Sequence, residues 1–123
     1  MAPRILIVED DAAVRLTVVS MLEQDGYDVV AAPDGRAGLE AARRERFDLV
    51  VTNSAMPHMS GEELTASVRR LYPDLQIIHI GGFPGAAGAN SSSGEYQLNK
   101  PFSMSKLREM VRNVIGDPTH DGD

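Results

Sequence analysis

"FDLVVTNSAMPHMSG", Phe47 to Gly61, changes character halfway along. Phe47–Thr52 is a short apolar run with β-branched residues, which predicts a buried strand. The remainder is small and polar, punctuated by Pro57 and Gly61, and predicts a loop. Asn53 stands where strand becomes loop. A carboxylate at that point would complete an acidic cluster with Glu9 and Asp10, yet the residue is a neutral amide.

The same alternation extends in both directions. Arg4–Val8 ("RILIV") reads as a buried strand, and the following Val14, Val18, Met21 and Leu22 recur at helical spacing until Gly26. "YDVVAA" is a second strand, closed by the turn signal Pro33–Gly35, and an Ala-rich helix then runs to about Glu45. Beyond the quoted loop, Leu64, Val68, Leu71 and Tyr72 mark the apolar face of a helix that Pro73 ends. Leu75–Ile80 is the fourth strand and the region of Tyr96–Leu98 a short fifth. Leu107, Met110, Val111, Val114 and Ile115 form the cleanest amphipathic helix of the chain. Strands alternating with helices over short connections predict a parallel sheet covered on both faces, a doubly wound α/β domain. "GGFPGAAGANSSSGE" (Gly81–Glu95) interrupts this rhythm. Four glycines between Gly81 and Gly88, and no apolar helical pattern, predict a mobile loop with at most a helical turn after Pro84.

With 123 residues the chain is the size of one domain, here residues 1–116, followed by an acidic tail at 117–123 expected to be disordered. The net charge of -6 argues against nucleic acid and anionic membrane as partners. There is no cysteine, which removes disulfides, thiolate metal sites and cysteine catalysis. Without a signal-like N-terminus or an apolar run of about 20 residues, the expected location is cytoplasmic.

In open α/β sheets, ligands bind beyond the carboxyl ends of the strands. Glu9–Asp10, Asn53 and Lys100 all fall there. Two carboxylates with carbonyl oxygen and water suit Mg²⁺, and a neighbouring lysine suits phosphoryl transfer. The plainer alternative is that "EDD" is a solvated strand end whose Asp11 caps the next helix, with Lys100 on the surface. His79 reads as a packed strand residue, His58 as a loop residue and His120 as part of the tail.

"ILIVEDD", "FDLVVTNSAMPHMSG" and "NKPFS", in this order, resemble the receiver domains of two-component response regulators, over roughly Pro3 to Ile115. The resemblance implies a five-stranded flavodoxin-like sheet of order 2-1-3-4-5. It implies a signalling module rather than an enzyme, taking a phosphoryl group from a histidine kinase onto an aspartate beside Mg²⁺. Carried over by position, Glu9 and Asp10 are the acidic pair, Ala55 supplies a main-chain carbonyl to the metal, and Lys100 contacts the phosphate. The acceptor position falls on Asn53, which would also be a neutral metal ligand, so magnesium is expected to bind weakly. Gly81 stands where the family places a phosphate-binding hydroxyl, and Gln97 where many members have a switching aromatic. A carboxamide is neutral and its nitrogen lone pair is delocalised, so the resemblance and the departure together imply a receiver that does not form an aspartyl phosphate.

Partners implied are a histidine kinase or phosphotransfer protein, met through Phe83 and Tyr96, with the chain monomeric or weakly dimeric. One alternative is a phosphorylatable receiver, ordinary or atypical, in which Asn53 was installed as a block, and a further one is a fragment excised from a hybrid histidine kinase. The initial Met and the acidic tail favour a stand-alone protein over such a fragment. A flavodoxin-like cofactor binder would need a phosphate loop where "EDD" stands, and an Asp-nucleophile phosphohydrolase would need a D-x-D strand end, which "VEDDAA" does not offer.

Overall fold

The computed structural model describes residues 2–53, 59–81, 94–99 and 102–116. Among these described residues, five strands and four helices follow in the order β1 (Arg4–Val8), α1 (Ala12–Gln24), β2 (Asp28–Ala32), α2 (Gly35–Arg44), β3 (Leu49–Asn53), α3 (Gly61–Leu71), β4 (Gln76–Ile80), β5 (Glu95–Leu98) and α4 (Met104–Ile115). The strands form one parallel sheet in the order β2-β1-β3-β4-β5, as the resemblance implied. The connection between β4 and β5, where a mobile loop is expected, lies largely outside the described residues, as does the tail at 117–123.

Side-chain alternation divides each central strand between two cores. Ile5 and Ile7, Leu49 and Val51, and Ile78 and Ile80 face α1 and α4, where Val18, Leu22, Leu107 and Val111 are buried. Leu6, Val8, Val50 and Ile77 face α2 and α3, meeting Ala42, Leu64 and Val68. The near-continuous apolar runs of β1, β3 and β4 are therefore what a sheet covered on both faces requires.

Each helix starts on a side chain that accepts hydrogen bonds from the first turn's otherwise unpaired N–H groups. Asp11 caps α1, Asp34 caps α2 and Ser103 caps α4, while Ser60 and Glu63 form a reciprocal capping box on α3. One expectation about the core is corrected. Leu71, placed on the buried face of α3, is 41% exposed. Tyr72 takes the inward position instead, packing against the second core and donating from its hydroxyl to the Ala42 carbonyl at 2.8 Å. At the opposite face, the Tyr27 hydroxyl donates to the Gly116 carbonyl at 2.6 Å and ties the entry of β2 to the end of α4.

Helix α2 approaches β1 through glycine. A Cβ added at Gly38 would lie 2.8 Å from Cγ2 of the fully buried, β-branched Val8, which has no free rotamer to yield. Overpacking of this kind costs about 1–3 kcal/mol, against a helix-propensity gain of about 1 kcal/mol for glycine to alanine. Gly38→Ala is accordingly expected to lower the urea midpoint by the equivalent of about 1 kcal/mol with an unchanged m-value, measured by equilibrium unfolding.

Candidate functional site

Val8 pairs with Thr52 across the β1–β3 ladder, so the residues that follow each emerge side by side at the carboxyl edge of the sheet. The "EDD" run then divides into three roles. Glu9 turns inward and is 1% exposed, Asp10 is exposed at the edge, and Asp11 accepts from the N–H groups of Ala13 and Val14 as the cap of α1. The capping role of the run thus falls on Asp11, while Glu9 and Asp10 stand together at the strand end.

Asn53, the last residue of β3, is 8% exposed and reaches both acids. Its Nδ2 donates to Glu9 Oε2 at 2.9 Å and to Asp10 Oδ1 at 3.3 Å. Two carboxylates offer only acceptors, so the amide must present its NH₂ edge to them. Glu9 Oε2 also accepts from the Asp11 N–H at 3.1 Å. Glu9 Oε1 is buried and has no hydrogen-bond partner among the described residues. Such an atom normally has a partner or an ion. The carboxylates thus fit a hard cation, while the amide edge facing them does not.

Arg15 was not anticipated. From the first turn of α1 it donates Nη1 to the main-chain carbonyl of Glu9 at 2.8 Å and braces the turn that carries the acids. The signal was available, since an arginine four residues after a helix cap can reach back over the strand end.

On the other side of the site, Gly81 has φ of +120°, and its N–H donates to the Leu98 carbonyl at 3.1 Å. Gln97 is buried, and its Nε2 donates to the Gly81 carbonyl at 2.9 Å and to Asn99 Oδ1 at 3.1 Å. Tyr96 points to the opposite face of β5, as strand alternation requires, packs against the first core and donates its hydroxyl to Gln76 Oε1 at 3.1 Å. His79 is a buried strand residue with Nε2 3.1 Å from Glu95 Oε1. Lys100, Ala55, Phe83, His58 and His120 lie outside the described residues. No group of three His, Cys, Asp or Glu able to hold a metal occurs among the described residues, the third member at this edge being the amide.

The family model of the response regulator receiver domain matches residues 5–112. The chain belongs to the response regulator receiver domain family. Among curated proteins, this receiver is 35% identical over 115 residues to the response regulator receiver protein CpdR of Brucella abortus, covering 91% of this chain and 96% of that one. Several other relatives are longer proteins, of which the chain spans 12% to 54%. Among solved structures it is similar to the receiver domain of the hybrid histidine kinase CckA, with a TM-score of 0.79, 30% identity and coverage of 91% of this chain and 98% of that one. The receiver domain of sensor histidine kinase PA1611 of Pseudomonas aeruginosa, solved with magnesium coordinated in its active site cleft, shares the fold at a TM-score of 0.77 and 24% identity, covering 94% of this chain and 98% of that one.

In this receiver the end of β4 is a backbone constraint, because side chains other than glycine are strained at the φ of Gly81. Gly81→Thr, which supplies a hydroxyl, is expected to destabilise the domain by about 1–3 kcal/mol. Chemical denaturation checks this, and unchanged stability would mean that the turn rearranges freely.

Proposed function

We propose that this receiver works in two-component signalling without forming an aspartyl phosphate, through contacts with a histidine kinase or phosphotransfer protein. The observation that carries the reading is Asn53 at the acceptor position, buried and bonded to both acids of the site. A carboxylate oxygen attacks phosphorus as an anion with an available lone pair. The Asn53 amide nitrogen is delocalised into its carbonyl, and both of its N–H groups are directed at Glu9 and Asp10. Gly81 supplies no hydroxyl to a phosphoryl group, Gln97 holds the position of the switching aromatic, and Lys100 is the residue proposed to face phosphate.

The chain's chemistry favours protein partners over nucleic acid or membrane. Its net charge is -6, and no helix among the described residues is long and apolar enough to cross a membrane. We place the module in the cytoplasm as a monomer or weak dimer, with Phe83 and Tyr96 as contact residues.

Glu9 and Asp10, with the carbonyl of Ala55, would hold Mg²⁺. When bound, the ion supplies neutralisation of the acidic pair and of phosphoryl oxygens. Asn53 can offer its Oδ1 only by turning its amide over, which gives up both hydrogen bonds to the acids. Binding is therefore expected to be weak, in the millimolar range, and a titration followed by backbone amide shifts should perturb the surroundings of Asp10, Asn53 and Lys100.

Incubation with acetyl phosphate and Mg²⁺ is expected to leave the intact mass unchanged. Asn53→Asp should acquire one phosphoryl group, slowly because Gly81 offers no hydroxyl. A stable phosphoryl adduct on Asn53 itself would sink the proposal.

A further inference from the structure

The amide of Asn53 does more than fail to accept phosphate. Glu9 is almost wholly buried, and Asp10 stands beside it, so the strand end brings two like charges together at the edge of a low-dielectric sheet. An arrangement of that kind needs a cation or a set of donors between the charges. The described residues provide the donors. One nitrogen, Asn53 Nδ2, bridges Glu9 Oε2 and Asp10 Oδ1 with its two hydrogens. The Asp11 N–H is a second donor to Glu9 Oε2, and Arg15 places a guanidinium on the main-chain carbonyl of Glu9.

We infer that Asn53 holds the acidic pair in place of a cation, so that the edge of the sheet is assembled without metal and Mg²⁺ must displace the amide to bind. Asn53 is then a competitor of the ion, on balance, rather than one of its ligands. Turning the amide over would exchange two donors for one neutral acceptor and leave the Asp11 N–H on Glu9 Oε2 as the remaining donor to the pair among the described residues. The bridge also fixes the carboxyl end of β3 to the turn after β1 in the free protein, an attachment that an aspartate at the same position cannot make. A third carboxylate at about 3 Å from the other two would repel both.

This inference rests on the same placement of Asn53 as the proposed function, but the two can fail separately. An amide that cannot be phosphorylated could still be a net ligand of the metal. The deciding experiment compares Mg²⁺ affinity, by titration calorimetry or amide shifts, in the unmodified protein and in Asn53→Ala. Removal of a competitor is expected to tighten Mg²⁺ binding by about tenfold or more, roughly the loss of one hydrogen bond to a charged group. Removal of a ligand would weaken it, and weaker or unchanged binding overturns the inference.

Thermal melting in EDTA supplies an independent readout. Asn53→Asp is expected to melt at least about 4 °C below the unmodified protein, and Mg²⁺ should raise its midpoint by more than it raises that of the unmodified protein. Equal midpoints in EDTA would show that the bridge holds nothing together. If Asn53→Asp folds only with Mg²⁺ present, the amide was standing in for the ion, as inferred.

Discussion

The pairing of Val8 with Thr52 sets the geometry of everything at the carboxyl edge of the sheet. Neighbouring parallel strands lie about 4.8 Å apart, which brings the residues just beyond them within hydrogen-bonding reach. A slip of one residue would send Glu9 toward the helices of the opposite face and carry Asn53 away from both acids. The register is protected from both sides, because Ile5 and Ile7 are buried among α1 and α4 while Leu6 and Val8 are buried against α2 and α3. Each of these side chains contributes roughly 1.5–3 kcal/mol when fully buried. A slipped strand would forfeit several such contributions. Hydrophobic alternation thus pays for a polar site in which nothing is individually very stable.

The elements were legible in the sequence because their signals are local. Arg4–Val8 is a strand in both descriptions, and the cores of α1 and α4 fall on Val18, Leu22, Leu107 and Val111. Boundaries moved by one or two residues where hydrogen bonding decides them, so that β3 begins at Leu49 and not at Phe47. Strand order was not legible from periodicity. It came from the family motifs, since loop lengths alone do not say which parallel neighbour a strand takes. Leu71 was misplaced because a 3.6-residue period gives the last turn of a helix two candidates for the inward position, and Tyr72 satisfies both a packing contact and a hydrogen bond there.

At the site, residue identity was readable and residue state was not. The sequence located Glu9, Asp10 and Asn53, but not the direction of the amide, which depends on acceptors contributed by another strand. Nor did it reveal that Gly81 occupies a positive φ, or that Arg15 reaches back to Glu9. The state matters for function, because a carboxylate pair bridged by NH₂ is already partnered before any ligand arrives. Hydrogen bonds to charged groups contribute about 1.5–3 kcal/mol each. That is of the same order as the binding free energy of a millimolar site, about 4 kcal/mol, and on this ground we propose that the amide competes with the ion.

The β4–β5 side of the site departs from the family in a related way. Gln97 joins two strand ends by donating to the Gly81 carbonyl and to Asn99. A phenylalanine ring at 97 has no donor for that carbonyl, and a threonine at 81 would have to adopt the positive φ that glycine now accepts. The two positions are therefore matched to each other through the hydrogen bond from Gln97 to the Gly81 carbonyl. At 53 and 97 side-chain amides donate to neighbouring oxygens, and at 81 glycine takes a positive φ, so each of these positions is held by hydrogen bonding or backbone geometry within the described residues.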